Sequence, residues 1–493
     1  MKVLIVLDIG TSNTKGLLFN NKGAIIYQKT KKTPPEHVKS DKVEQSPDIW
    51  LDIIIDILIN IAAIINENKY SLEGITIAGQ RSSLIVLDEN YKPINKAIMW
   101  QDKRSESIVE KLKSKNKYVF DKTGANLNSV YLAPKIKWVN ENCRSNKKIH
   151  KYLTIIDYIA FFLTGKFKTD LTYGSRTSMM NIHTKKWDND LLNIFNVDQK
   201  QLCQLVEPGS VVGYITDEVI KKTGFKKTVP LISSGGDQQC GAVGLGILNA
   251  GNVGLNMGTG AYLTSITNKI PDNLENDITL NCYSISNKYM LETTLLNCSS
   301  LLDWFSDNFY GELNPQHVYK KIEDDLLASS DGANGVVFLP YFQGRGTPDW
   351  NDSAKGSFLN LTLANKRSDM LRAIIEGIGL EILNHLDILN NYVETEHQNI
   401  YLSGGLSNSN LIVQNVSNIT SKVIKVYSNS EATAIGAFII ASNTIGFFEN
   451  FNEALENVRS NDAIQTYYPD RKKQCFYREL QETHNLYYES MKR

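Results

Sequence analysis

Three observations predict a duplicated α/β fold built on mixed sheets. The chain has 493 residues, more than one ordinary core organises, which suggests two domains of roughly 200–250 residues. Near the start, VLIVLDIGTSNTKGLLF reads as an apolar strand, a Gly-Thr turn and a second strand, and GNVGLNMGTGAYLTSI repeats that plan in the middle. A looser pair, ITIAGQRSSLIVLD (75–88) and IYLSGGLSNSNLIV (400–413), each runs a short apolar strand into a small-residue turn. Matching turns in two halves are the mark of an internal duplication. Their hairpins point to mixed rather than purely parallel sheets.

Helices are expected between these strands, at 48–65, 370–389 and 430–442, where apolar residues recur every three to four positions. In DIWLDIIIDILINIAAII, Asp52, Asp56 and Asn60 fall on one stripe, so the segment reads as an amphipathic surface helix and not a membrane span. The Gly-rich GLGILNAGNVG sets the boundary near 245–252. Domains 1–248 and 249–493 follow, closely joined, with a cleft between them.

Composition narrows the class. Lys plus Arg equals Asp plus Glu, 53 each, which gives no general drive toward nucleic acid or anionic membrane. The clusters Lys29, Lys31, Lys32 and KLKSKNK (111–117) read as solvated surface. Six scattered cysteines with no C-x-x-C pair suggest reduced thiols and a cytoplasmic setting, not a disulfide or zinc framework. The apolar MKVLIVLDIG breaks at Asp8 without a cleavage site and reads as a buried strand.

Five segments offer chemistry. In DIGTSNTK a strand ends in Asp8, a glycine turns the backbone, and Thr11, Ser12 and Asn13 offer donors. Such a turn wraps phosphate oxygens while the carboxylate holds magnesium, or it is a plain polar hairpin. LNMGTGAYL has Gly258, Thr259 and Gly260 in the matching place. In VPLISSGGDQQCGAVGLG, Asp237 opens a helix, either as a cap or as a carboxylate that accepts a proton from an attacking hydroxyl. SGGLSNSN gives paired glycines that let a flat group such as adenine lie on the backbone, or simply a strand-to-helix turn. AGQRSS and IMWQDKR carry Arg81, Trp100, Asp102 and Arg104, side chains suited to a polyhydroxylated molecule and equally at home on an ordinary surface.

In order along the chain, DIGTSNTKG, GQRSSLIVLD, AIMWQDKR, KIKWVNE, DYIAFFLTG, GSRTSMMNIHTKKWD, GGDQQCGAVGLG, NMGTG and LSGGLSNS resemble the FGGY carbohydrate kinases, which include glycerol kinase and xylulokinase. The likeness runs from Val3 to about residue 448. It implies a duplicated actin-like ATPase fold, two RNase H-like domains with ATP and a sugar or polyol in the cleft, and frequently a homodimer. By the resemblance Asp8 lies near Mg2+, Thr11, Ser12 and Asn13 near the γ-phosphate, and Lys15 where glycerol kinases carry Arg. Gly258 and Thr259 form the second phosphate segment, and Gly404, Gly405 and Ser409 the adenosine segment. Asp237 matches the catalytic base. Arg81, Ser82, Trp100, Asp102, Tyr131 and Gln238 match the sugar site.

Departures bear on the acceptor. Ser82 stands where the glycerol-kinase motif has Glu, and Val130 where it has Tyr, with Tyr131 adjacent. WQDKR is closer to the form found among ketose kinases. A site short of partners for glycerol's hydroxyls points toward a ketose or longer polyol. In GSFLNL, Asn360 replaces the usual Gly, which is expected to affect local backbone only. Glycerol remains an alternative acceptor. An actin-like ATPase acting on a protein partner is the rival of another class, disfavoured by the joint presence of GGDQQ, GQRSS and WQDKR.

Overall fold

Five consecutive buried residues, Val3 to Leu7, make the first strand a central one in the computed structural model, which describes residues 1–143, 148–311, 315–393 and 395–492. Strands β1 (Lys2–Ile9), β2 (Asn13–Asn20) and β3 (Ile25–Lys32) form an antiparallel meander, and β4 (Ser71–Gly79) lies parallel to β1. An edge strand β5 (Val211–Tyr214) pairs antiparallel with β6 (Pro230–Gly236), itself parallel to β4, in the order β5-β6-β4-β1-β2-β3.

The second half repeats this plan. Strands β7 (Asn252–Met257), β8 (Ala261–Thr267) and β10 (Tyr289–Leu295) form the meander, with β9 (Thr279–Cys282) added at its edge. β11 (Asn399–Ser403) and β12 (Val423–Tyr427) continue in parallel and β13 (Ile464–Tyr467) closes antiparallel, in the order β9-β10-β8-β7-β11-β12-β13. The repeat expected from the paired turns is therefore present strand for strand. Two features differ: β9 is inserted between β8 and β10, and the antiparallel strand beside β6 precedes its neighbour whereas the one beside β12 follows it.

Helices cover the sheets where the apolar period demands it. Helix α1 (Pro47–Glu67) opens with proline in its first turn and buries Trp50, Ile54, Ile57, Leu58, Ile61 and Ile65. Asp56 on its outer stripe meets Lys29 and Lys31, two of the surface lysines. Helix α2 (Asp237–Gly244) follows β6 directly, and α3 (Ser299–Phe309) follows β10. The longest, α4 (Arg367–Asn390), is buried along most of its length. Helices α5 (Asn410–Thr420) and α6 (Ala432–Thr444) follow β11 and β12. A five-stranded accessory sheet in the first half, including Leu84–Asp88 and Ala97–Ile98, leads into Trp100, which reaches the turn after β1, and Asp102, which stays bonded to the accessory sheet.

The halves meet through α2 and α6. A side-chain carbon on Gly244 would overlap the Ala432 carbonyl, and one on Gly436 would overlap that of Cys240. Backbone therefore touches backbone at this crossing, which only glycine allows. Asn360 adopts φ 61° and donates to the Gly335 carbonyl, so asparagine occupies a left-handed position that glycine takes without strain. Among the described residues no helix is long and apolar enough to cross a membrane.

Candidate active site

Duplication brings strand ends together. Asp8 and Asn256 hold the same place, one residue before the end of β1 and β7. Asp8 registers with Lys15 across its hairpin and with Ala78 on β4; Asn256 registers with Tyr262 and with Ser403. Next on the parallel strands come Gly79 and Gly404, where a side-chain carbon would overlap the carbonyl of Ile9 and of Met257 respectively. Both turns are thus kept tight by the same backbone approach.

The first turn is closed by Gly10 N–H donating to the Asn13 carbonyl at 2.9 Å, leaving Ser12 and Asn13 exposed. Thr11 Oγ1 accepts from Trp100 Nε1 at 3.0 Å, which joins the accessory sheet to this turn. Lys15 reaches across the cleft to Glu431, with Nζ 2.7 Å from Oε2. Burial pushes the Asp8 carboxyl up to about 7; Lys15 offsets part of this, while Asp237 and Glu431 add to it. A half-buried carboxylate, with Asp237 and Glu431 nearby and Lys15 as the cation acting on it, is suited to a further cation.

The second turn, Gly258–Gly260, sits on the start of α3: Cys298 and Ser299 N–H donate to the Thr259 and Gly258 carbonyls at 2.7 and 2.9 Å. Gly404 has φ 97°, and a side-chain carbon on exposed Gly405 would meet nothing within 4 Å, so a flat group has room there. Ser409 Oγ is buried without a hydrogen-bond partner beside this turn.

Asp237 is the first residue of α2, after Gly236 at the cap position. Its Oδ1 accepts from Gln238 N–H at 2.8 Å, and the helix start makes no side-chain cap. Asp237 thus serves one first-turn N–H of the helix through Oδ1, and its other oxygen is left for the cleft. Burial raises its affinity for protons, partly offset by Arg81 and by the Gln238 N–H; Glu292 raises it further. Arg81 Nε lies 3.4 Å from Asp237 Oδ1, and Arg81 Nη2 lies 3.0 Å from Glu292 Oε2. Arg176 Nη1 lies 3.3 Å from Glu292 Oε1 and donates to the Tyr131 hydroxyl at 3.3 Å. Ser82 adopts φ 69° with its Oγ buried and unpartnered.

A cavity of about 200 Å³ between the halves runs from Asp237 and Gln238 past Asn256, Tyr262 and Thr433 to Gly404. Of the expected site residues Asp237 and Gln238 line this cavity; Arg81 contacts Asp237, Tyr131 joins through Arg176 and Glu292, and Asp8 interacts electrostatically with Lys15 and Asp237. Asp102 is the exception and corrects the expectation that it meets a sugar. Its side chain is fully buried; Oδ1 accepts from Arg104 N–H and Nε, and Oδ2 from Arg104 Nη2 and Val43 N–H. Those bonds leave it nothing to offer a ligand.

Sequence reasoning missed four participants: Arg176, Glu292, Tyr262 and Glu431. Arg176 lies within GSRTSMMN. Glu292 is the lone charge in the apolar strand YMLETTL, a pattern that marks a buried carboxylate with a partner. Tyr262 and Glu431 carried no signal apart from their place after a turn and before a helix.

Comparison with known proteins assigns the family. The N-terminal domain of the FGGY family of carbohydrate kinases matches residues 3–244, and its C-terminal domain residues 254–444. The xylulose kinase of Bacillus subtilis is 28% identical over 458 residues, 92% of this chain and 91% of that protein. The glycerol kinase of Natranaerobius thermophilus is 28% identical over 463 residues, 91% of each. A crystal structure of ligand-bound xylulose kinase from Lactobacillus acidophilus superposes with a TM-score of 0.90 at 25% identity, covering all of this chain and 98% of that one. The duplicated actin-like architecture is the one these proteins share, and the chain belongs to the FGGY family of carbohydrate kinases.

Proposed function

We propose that this kinase transfers the γ-phosphoryl group of ATP to a terminal hydroxyl of a small ketose of the xylulose type. One observation carries the reading. Asp237, paired with Arg81, lines the cavity that reaches Gly404 beside the open Gly405, and lies close enough to Asp8 to interact with it electrostatically. Residues 1–248 would hold acceptor, base and first phosphate turn; residues 249–493 would hold the second phosphate turn and the adenosine.

In this reading the sugar hydroxyl lies between Asp237 and the γ-phosphorus. The hydroxyl proton passes to an Asp237 carboxylate oxygen, the sugar oxygen forms the new O–P bond, and the bond to the β-phosphate oxygen breaks to release ADP. Thr11, Ser12 and Asn13 and the Gly258–Thr259 turn would donate to phosphoryl oxygens, acting where charge spreads in the transition state. Asp8 would hold Mg2+, which neutralises phosphate charge when bound. Among the described residues no group of three or more His, Cys, Asp or Glu is arranged for a metal. Magnesium takes one or two carboxylates and completes its shell with phosphate and water.

The acceptor preference rests on Ser82, whose unpartnered hydroxyl replaces a carboxylate, and on Tyr131, whose hydroxyl is already engaged by Arg176. Turnover of ATP and Mg2+ with xylulose, ribulose, fuculose, erythritol, gluconate and glycerol tests it. Highest kcat/KM with a ketose is expected. Glycerol as best acceptor would reverse the preference, and hydrolysis without any phosphosugar would favour a protein-directed ATPase. Asp237→Asn is expected to lower turnover by roughly 10³-fold with nucleotide affinity kept. Near-normal turnover in that variant removes Asp237 as base.

A further inference from the structure

We propose that Glu292, a strand residue of the second half, is a positioning residue that sets the basicity of Asp237 by sharing Arg81 with it, so that the guanidinium does not seat fully on Asp237. This inference rests on the reading of Asp237 as the base. The geometry is a chain of alternating charge: Asp237 Oδ1, Arg81, Glu292, Arg176, with the Tyr131 hydroxyl at its end. Every member except Glu292 comes from the first half. Glu292 is 3% exposed, the Arg81 side chain 8% and the Arg176 side chain 11%, so water screens these three charges little, whereas the Asp237 side chain, 31% exposed at the cavity, is partly screened.

The distances show how Arg81 divides itself. It lies 3.0 Å from Glu292 and 3.4 Å from Asp237, and its Nη1 donates to Gln239 Oε1 at 3.4 Å. The tighter contact goes to the carboxylate that does no chemistry. A guanidinium seated fully on Asp237 would stabilise the carboxylate and weaken it as a proton acceptor. Glu292 prevents that seating, and Arg176 on its other oxygen fixes where Glu292 stands.

Other charges face Asp237 as well. Asp8 lies close enough on the main sheet to interact electrostatically, and Tyr262 on β8 lies beside the cluster, its hydroxyl kept neutral by burial and by Glu292. Burial works upward on the Glu292 carboxyl, but Arg81 and Arg176 outweigh it and keep it ionised. Within the chain of four charges, two carboxylates balance two guanidiniums. Loss of Glu292 leaves both guanidiniums with Asp237 as the carboxylate of the chain, and Arg81 swings onto it.

The sign of the effect separates this role from simple scaffolding. The acid limb of kcat/KM against pH reports the base in the free enzyme. Glu292→Gln is expected to move that limb down by about one pH unit and to lower kcat roughly tenfold. Arg176→Gln frees Glu292 to hold Arg81 alone and removes a cation near Asp237, so its limb moves up. Glu292→Asp keeps the charge and restores most of the kcat lost in Glu292→Gln.

The measurement uses the full chain with ATP, Mg2+ and xylulose, or glycerol where that is the better acceptor. Thermal unfolding midpoints are recorded for each variant, and Arg176→Gln keeps the test open where Glu292→Gln fails to fold. Limbs that move in opposite directions support the proposal. Unmoved limbs, movement in one common direction, or a Glu292→Asp variant no better than Glu292→Gln overturn it. Asp237→Asn, run alongside, distinguishes the two failures. Retained turnover there defeats the base assignment, whereas unmoved limbs with an inactive Asp237→Asn defeat only the role of Glu292.

Discussion

The two halves use one scaffold with different charge. At the matched strand ends the first half places Asp8, registered with Lys15, and the second places Asn256, registered with Tyr262. After the matched glycines the first half continues with Gln80 and Arg81, the second with Gly405 and Leu406. Where β6 runs straight into α2 with Asp237 at its first position, β12 reaches α6 only after Ser428–Glu431, and α6 begins on Ala432. Backbone geometry was kept while side chains diverged. One half concentrates ionised groups suited to a metal ion and a proton, and the other leaves glycine, amide and an open backbone surface suited to a nucleoside.

The sharpest way to break that contrast is to make the first turn resemble the second. Asp8→Asn gives β1 the amide that β7 carries. The turn should persist, since Gly10 and the backbone approach at Gly79 are untouched. Turnover is expected to fall by roughly 10²–10³-fold, because the carboxylate that would hold Mg2+ at the phosphoryl group is lost. Magnesium-free nucleotide binding, followed by calorimetry, should change little. Equal losses of both would mean that Asp8 shapes the turn and not its charge.

A smaller effect tests the shared backbone. Gly79→Ala and Gly404→Ala each drive a carbon into a carbonyl oxygen, and each should destabilise by about 1–3 kcal/mol. Gly404→Ala should sit at the upper end, since Gly404 also has φ 97°. The functional consequences should part by half: KM for ATP rises for Gly404→Ala, and KM for the acceptor rises for Gly79→Ala, which sits before Arg81. Denaturant unfolding with steady-state kinetics reads both. If both variants raise the same KM, the two turns do not divide nucleotide from acceptor.

How much of this was legible in the sequence follows the same line. The duplication was visible because it lives in turns, where glycine is required and chain-local pattern suffices. Asp8, Arg81 and Asp237 were visible because each stands at the end of an apolar strand. Asp102 was misread, since nothing local reveals that Arg104 and the Val43 N–H absorb its oxygens. Glu292 and Arg176 meet only when the halves close on each other, 116 positions apart, and no periodicity carries that contact. Glu431 was hidden for the same reason, as its partner Lys15 comes from the other half.

That last pair supplies the smallest effect and the finest test of the contrast. Glu431 is a charge that the second half sends to the first turn, where it engages Lys15 and accepts from Gln28 Nε2 at 3.3 Å. With side chains 28% and 18% exposed, the ion pair should stabilise by less than about 1 kcal/mol. Glu431→Gln is therefore expected to lower the thermal midpoint by only a few degrees at most. Its kinetic signature should be clearer. Where Lys15 is drawn onto the γ-phosphate during turnover, Glu431 competes for it, and the glutamine variant, unable to hold the ammonium as an ion pair, should lower KM for ATP severalfold. An unchanged KM with a lowered midpoint would show that the pair only fastens the halves. A raised KM would mean that Glu431 aims Lys15 at the phosphate, adding a second working charge to the half that already lends Glu292 to the cleft.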